Sequence, residues 1–305
     1  MKLNGKEQLE AAIMNFPGYV NDNIDLTAFM EDEQKHRVRN AWEYRDRLRD
    51  LILGSGEVGQ SMPWDAFGGK MEFRKSEMTL WAGFKGHGKS VIISQVLEHL
   101  MDKCGQKVFI ISPEFPAHRV LYRLMVQSIG QRYPDASLLD MWLEAVKDQL
   151  WIYDQQKSLT PKDVPALCRY AIHTYGVQHV LIDSLMKCGI APDDYGSQKR
   201  LVDTIQQVCH NTETHIHLIA HLRKGKSDDE IGGLHDVKGA SEISDLVENV
   251  IICWRNKQQE MKNDGSNQEP DAVIKVEAQR NADGWIGKVP MKFEKHTMRF
   301  SQWIN

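Results

Sequence analysis

Two periodicities divide the chain. Over residues 31–53 apolar side chains fall at helical spacing on a highly charged background, at Val38, Ala41, Trp42, Leu48, Leu51 and Ile52, with Arg45 the one exception on the stripe. Gly54, Gly56 and Gly59 then break the pattern. Upstream, a shorter helical pattern (Leu9, Ala12, Ile13, Phe16) stops at Pro17 and Gly18, and residues 1–30 otherwise hold little core material. From about residue 60 onward short apolar or β-branched runs alternate with helical stretches. Strands are expected at 79–82, 107–111, 151–153, 179–182, 215–220, 249–254 and 272–277. The first five are far enough apart for crossover helices, including 90–101 and 161–175, which predicts an α/β fold with a mostly parallel sheet flanked by helices. Three regions follow: a short appendage (1–30), a helix and hinge (31–59) and one α/β domain (60–305). The amphipathic helix must bury its stripe either on its own domain or on another subunit. There is no internal repeat, and 263–270 reads as a polar turn between late strands.

Composition narrows the functional classes. With 305 residues, 41% of them hydrophobic, the chain can bury a sizeable core. Its net charge of -4 and pI of about 6.3 leave any nucleic-acid binding to local basic loops. Five scattered cysteines without a C-x-x-C pair argue against zinc fingers and a disulfide framework, and point to a reducing compartment. No apolar run approaches the roughly 20 residues that span a bilayer. The first residues also lack the apolar core of a secretion signal, so a cytoplasmic protein with no membrane partner is expected.

The densest chemistry lies at 83–90, Gly83-Phe84-Lys85-Gly86-His87-Gly88-Lys89-Ser90, which fits G-x4-G-K-[ST] in full. Such a loop needs backbone amides turned inward around phosphate oxygens, which glycine permits, and a following helix whose N-terminus faces the anion. In this reading Gly83, Gly86, His87, Gly88, Lys89 and Ser90 hold the nucleotide. Lys89 reaches the β- and γ-phosphates, and the Ser90 hydroxyl binds magnesium. The strand before the loop and the apolar face of the segment after it (Ile92, Ile93, Val96, Leu97, Leu100, Met101) supply the expected setting.

In an open α/β sheet, ligands sit beyond the carboxyl ends of the strands. Three strand candidates run directly into polar groups there: 107–111 into Ser112-Pro113-Glu114, 179–182 into Asp183, and 215–220 into His221. Asp183 fits a carboxylate that orders the magnesium shell, or else a helix cap. Glu114 is placed to polarise an attacking water, and equally fits a carboxylate in a Pro-flanked surface turn. His221 fits either a structural histidine or a contact to the γ-phosphate.

Taken together and in order, the cradle, Ser112-Pro113-Glu114, Val180-Leu181-Ile182-Asp183, His221-Leu222-Arg223-Lys224, Lys238-Gly239-Ala240-Ser241 and Gln279-Arg280-Asn281 resemble the RecA-like motor domain of DnaB-type ring-shaped replicative helicases, above all phage primase-helicases and Twinkle. The resemblance spans roughly residues 63–300. It implies a RecA-like P-loop NTPase core, with ATP or another NTP or dNTP and Mg2+ as cofactors. It also implies single-stranded DNA as partner, a homo-oligomeric ring of about six subunits, and a primase, polymerase or loader as further partners in a bacterial or phage-infected cell. By the same resemblance Glu114 is the catalytic base, His221 the γ-phosphate sensor and Arg280 an arginine finger for the neighbouring subunit. Arg255 and Phe293 sandwich the base, although Phe293 equally fits a core aromatic. Arg223, Lys224, Lys226, Lys238 and Gly239 become DNA-contacting loop residues, and 31–53 the linker helix that packs on an adjacent subunit. Relatives usually carry a Lys two residues before the finger, where this chain has Ala278, with Lys275 further back. A RecA- or KaiC-like DNA-binding ATPase without unwinding activity shares most of these features.

Overall fold

The computed structural model describes residues 40–53, 58–154, 159–191, 193–223, 230–237, 243–261, 269–281 and 284–304. Residues 1–30, the loop lysines Lys224, Lys226 and Lys238, Gly239, and most of 263–270 therefore lie outside the described residues.

Of the expected linker helix, residues 41–44 form a 3-10 turn. Its start is fixed by a reciprocal cap in which Asn40 Oδ1 accepts from Trp42 N at 2.9 Å and Glu43 Oε1 accepts from Asn40 N at 3.0 Å. The α-helix proper, α1, is Arg45–Ile52 and buries no residue.

Strands β1 (Gln60–Ser61) and β2 (Glu72–Phe73) pair antiparallel as a small ribbon. The domain is then built on β3 (Met78–Gly83), β4 (Val108–Ile111), β5 (Leu150–Tyr153), β6 (His179–Ile182), β7 (His215–His221), β8 (Asn249–Arg255), β9 (Ala272–Gln279), β10 (Gly287–Glu294) and β11 (Arg299–Gln302). Among the described residues these form one nine-stranded sheet in the order β11-β10-β9-β8-β3-β7-β6-β4-β5. The six strands from β8 to β5 are parallel, and β9, β10 and β11 extend the sheet antiparallel. All six residues of β3 are buried between β7 and β8, which is why it reads as an unbroken apolar run and not as an alternation.

Side-chain alternation along β3 serves two cores. Met78, Leu80 and Ala82 join residues of α5 (Asp163–Tyr175) and α6 (Tyr195–Thr212), among them Leu167, Ala171, Leu201 and Ile205. Trp81, on the other face, meets Ile92, Val96 and Leu97 of α2 (Lys89–Asp102) and Val120 and Leu124 of α3 (Ala117–Ile129). A further helix, α4 (Ala136–Val146), contributes Trp142 to this second core. The result is a helix–sheet–helix sandwich with every parallel strand pointing the same way. The ends of β3, β4, β6 and β7 thus deliver their following residues to one rim.

Candidate nucleotide-binding site

The rim is occupied by the glycine-rich loop. Gly86 and Gly88 adopt φ of 81° and 76°, and Gly88 is the residue from which α2 starts. Gly83 is required for a different reason: a Cβ there would lie 2.4 Å from the Cys253 carbonyl oxygen of β8. The loop is drawn inward by Lys89, whose buried ammonium donates to the carbonyls of Gly83 (2.8 Å) and Phe84 (2.9 Å) and lies 3.2 Å from His221 Nδ1. Burial depresses the Lys89 pKa, and the nearby carboxylates of Asp183 and Glu114 oppose that effect.

The register of β3 against β7 places His221 beside Gly83, so the histidine faces the cradle directly. Asp183 leaves β6 buried, and its Oδ2 accepts from the Ser90 hydroxyl at 2.8 Å. Desolvation pushes the Asp183 carboxyl up to about 6, against the Ser90 hydrogen bond and the positive charges of Arg123 and Lys89. Glu114 follows β4 and is close enough to act electrostatically on both Asp183 and Lys89. The three polar strand exits expected from the sequence are thus brought to one place.

Ser90 and Asp183 present two hard oxygen donors to the same point, a donor set that fits magnesium, which ordinarily keeps waters and substrate phosphates in its shell. Among the described residues no cluster of three or more His, Cys, Asp or Glu could hold a metal unaided, which agrees with a cation that arrives with phosphate.

One residue at the site carries no motif signal. Arg123, in the middle of α3, donates to the Ser90 carbonyl at 2.8 Å, lies 5.7 Å from the Phe115 ring, and favours the ionised form of Asp183. Its partners are 33 residues or more away in sequence, so nothing local could have revealed it.

The flank of the cradle holds the expected base-binding pair. Arg255 N donates to His87 Nδ1 at 3.2 Å and its guanidinium donates to the Gly86 carbonyl at 3.3 Å. Phe293 is half-buried against Phe300 (centroids 4.7 Å apart), and Phe300 Cζ lies 3.6 Å from the position a Gly88 Cβ would occupy. Phe300 was not expected from the sequence.

Residues 68–302 match the family model of the DnaB-like helicase C-terminal domain. The chain belongs to that family. Solved structures similar to this DnaB-like domain include a DnaB-like replicative helicase studied for its interactions with primase (15% identity, 90% of this chain, 70% of that chain, TM-score 0.68). A helicase ATPase domain from a phage matches at 15% identity over 88% of this chain and all of its own length, with a TM-score of 0.69. A KaiC-like protein from the hyperthermophilic archaeon Pyrococcus horikoshii matches at 11% identity over 81% of this chain and 99% of its own, with a TM-score of 0.59. The shared architecture is the RecA-like fold.

Two further groups of expected residues are not at this site in the DnaB-like domain. Arg280 follows β9, whose Gln279 pairs with Asn249 at the start of β8, so it lies at the end of the sheet opposite the cradle. Its backbone N–H donates to the Glu248 carbonyl at 2.9 Å. Lys275 pairs with Glu277 on β9 and does not approach Arg280 as an accessory cation. Arg223, just beyond His221, is exposed, with its guanidinium 5.7 Å from the Tyr195 ring and its backbone N–H on the Asp236 carbonyl at 2.7 Å.

Proposed function

We propose that this chain is the motor of a ring-forming, nucleotide-driven DNA helicase that moves along single-stranded DNA and separates the strands at a replication fork. The observation that carries this reading is the separation of Arg280 from its own cradle. Lys89, Ser90, Asp183, Glu114 and His221 converge at one end of the sheet and Arg280 projects from the other, as a site shared between two copies would require. Bound magnesium supplies charge neutralisation on the phosphates. Glu114 orients and deprotonates the attacking water, Lys89 and His221 hold the γ-phosphate, and Arg280 of the next copy stabilises the charge that develops on it.

Loss of the γ-phosphate releases the Lys89–His221 contact. His221 is two residues from Arg223, so the change passes directly into the loop that starts there. That loop, with Lys224, Lys226, Lys238 and Gly239, grips the DNA backbone irrespective of sequence. The exposed stripe of α1 packs on the adjacent copy of a ring of about six subunits. By likeness to the family the direction is 5′ to 3′, ATP or another NTP or dNTP is the fuel, the compartment is cytoplasmic, and a primase, loader or polymerase docks on the ring.

The test is strand separation of a forked DNA with ATP and magnesium. Wild type should unwind it, and Lys89→Ala should lose both unwinding and hydrolysis. DNA-stimulated hydrolysis without strand separation would instead favour a DNA-binding ATPase that does not unwind, the reading to which the KaiC-like fold also lends itself.

A further inference from the structure

At the far end of the sheet, away from the cradle, lies a polar cluster with no part in the chemistry above. Glu77, immediately before β3, is only 2% exposed. Its two carboxylate oxygens are shared between two asparagines: Asn249 Nδ2 donates to Oε2 at 2.9 Å, and Asn281 Nδ2 donates to Oε1 at 2.9 Å. Arg74 stands 3.9 Å from the second of these oxygens. Asn249 also donates to Thr79 inside the sheet at 3.3 Å, which makes it part of the core. Asn281 is different: it is an exposed residue beyond the last ladder pair of β9, anchored to a buried group 204 positions earlier in the chain.

The residue held in place by this anchor is Arg280. Upstream of it β9 carries a bulge, because Val250 faces Ala278 while Ile251 faces Val276, leaving Glu277 as an extra residue that re-aims the strand end. After the bulge, Arg280 N–H is fixed to the Glu248 carbonyl, and Glu248 is itself locked by its carboxylate accepting from Met78 N at 2.8 Å and Gln206 Nε2 at 3.0 Å. The Arg280 guanidinium donates to the Asp245 carbonyl. A strand end without a ladder partner would otherwise fray, and an arginine that must enter a second molecule's site works only from a fixed direction.

We propose that Glu77 and Asn281 are positioning residues that clamp the backbone on either side of Arg280, so that its guanidinium leaves the surface at the angle needed to reach the nucleotide of a neighbouring copy. The inference rests on the proposed role of Arg280 across the subunit seam. Neither residue touches the nucleotide.

The experiment compares Asn281→Ala, Glu77→Gln and Arg280→Ala in the full chain, each alone and mixed with Lys89→Ala chains, whose own Arg280 and clamp are intact. For Asn281→Ala, kcat for DNA-stimulated hydrolysis should fall roughly tenfold to a hundredfold while KM for ATP stays within about twofold and the melting transition is unchanged. Glu77→Gln, which keeps the shape but weakens the charge-assisted bond, should shift kcat the same way by less. Mixing either variant with Lys89→Ala should raise turnover above that of both parents, because the intact Arg280 of one serves the intact cradle of the other. Arg280→Ala should behave likewise. Normal turnover by Arg280→Ala would sink the shared-site reading itself. If Arg280→Ala is inactive and complemented while Asn281→Ala turns over as wild type, the clamp alone is overturned. Loss of turnover in Asn281→Ala with a lowered melting transition and no recovery on mixing would overturn it too, by making the contact merely structural.

Discussion

At Gly83 the difference between a working cradle and a broken one is a single methyl group. The carbonyl of Cys253 approaches so closely that a Cβ would sit 2.4 Å away, inside any tolerable contact, and the obstacle is backbone, which cannot rotate aside. Gly83→Ala is therefore expected to cost about 1–3 kcal/mol in urea denaturation, as overpacking does, and to displace the carbonyl that Lys89 holds, so that hydrolysis falls with stability. Unchanged stability would mean the strands can part more easily than the geometry implies. Arg123 makes the complementary case. Removing it as Arg123→Ala frees the Ser90 carbonyl and takes a positive charge from beside Asp183. Turnover should fall roughly tenfold, with the magnesium dependence moved to higher concentration, since two magnesium donors lose their support. An unchanged magnesium titration would confine Arg123 to packing on Phe115.

Among the elements, β6 and β7 carry an unusual load in their lower halves. His179, His215 and His217 are fully buried beneath Phe73 and Trp81 and are joined in one hydrogen-bonded series. Trp81 Nε1 donates to His217 Nδ1 at 3.2 Å, which puts the His217 proton on Nε2, where it meets His179 Nδ1 at 3.2 Å. His215 Nδ1 is 2.6 Å from the Arg74 carbonyl, so it carries the proton and its Nε2 accepts from Thr79 at 2.9 Å. The stack is consistent only when all three rings are neutral. Desolvation holds all three pKa values below the ordinary 6.5, with His215 at about 4. The unfolded chain therefore binds more protons between those values, and stability that is complete above pH 6.5 declines as pH falls toward 4. His215 alone accounts for on the order of 3 kcal/mol of that decline. The raised carboxyls of Asp183 and Glu98 act in the opposite sense. The stack is isolated by His215→Leu, which should be less stable than wild type at pH 8 yet show a shallower slope between pH 6.5 and 5 in urea midpoints. Parallel slopes would exclude it.

None of this stack was legible in the sequence, because its members meet only across strands 38 to 141 residues apart. Elements set by local pattern were legible: 179–182 is β6 to the residue, and β3 extends the expected 79–82 by one residue at each end. Of the antiparallel extension, β9 was foreseen to 277 and β10 and β11 were not. The run Lys288-Val289-Pro290-Met291 does alternate exposed and buried, but Pro290 removes a ladder donor in mid-strand and masks the pattern.

For the molecule as a whole, the decisive fact is that α1 contributes nothing to its own domain. Trp42, Leu48, Ile52 and Leu53 are 74%, 53%, 83% and 67% exposed, and the tie between α1 and the core described at Arg47–Glu213 is a solvent-screened ion pair worth little. A stripe of that kind is stable in water only when another surface covers it. The opposite placement of cradle and Arg280 makes the same demand, since β3 alone is six residues long, about 20 Å, and no local motion of one chain joins its two ends. Both features predict that hydrolysis belongs to the assembly. Specific activity per chain should fall steeply on dilution, in step with the loss of higher-mass particles in mass photometry. Leu48→Asp should move both transitions together to higher protein concentration while leaving the melting of the dilute monomer within about 0.5 kcal/mol of wild type, as expected for a surface substitution. A dilute monomer that hydrolyses at the undiluted rate would show that the site is complete within one chain, and Arg280 would then need another explanation.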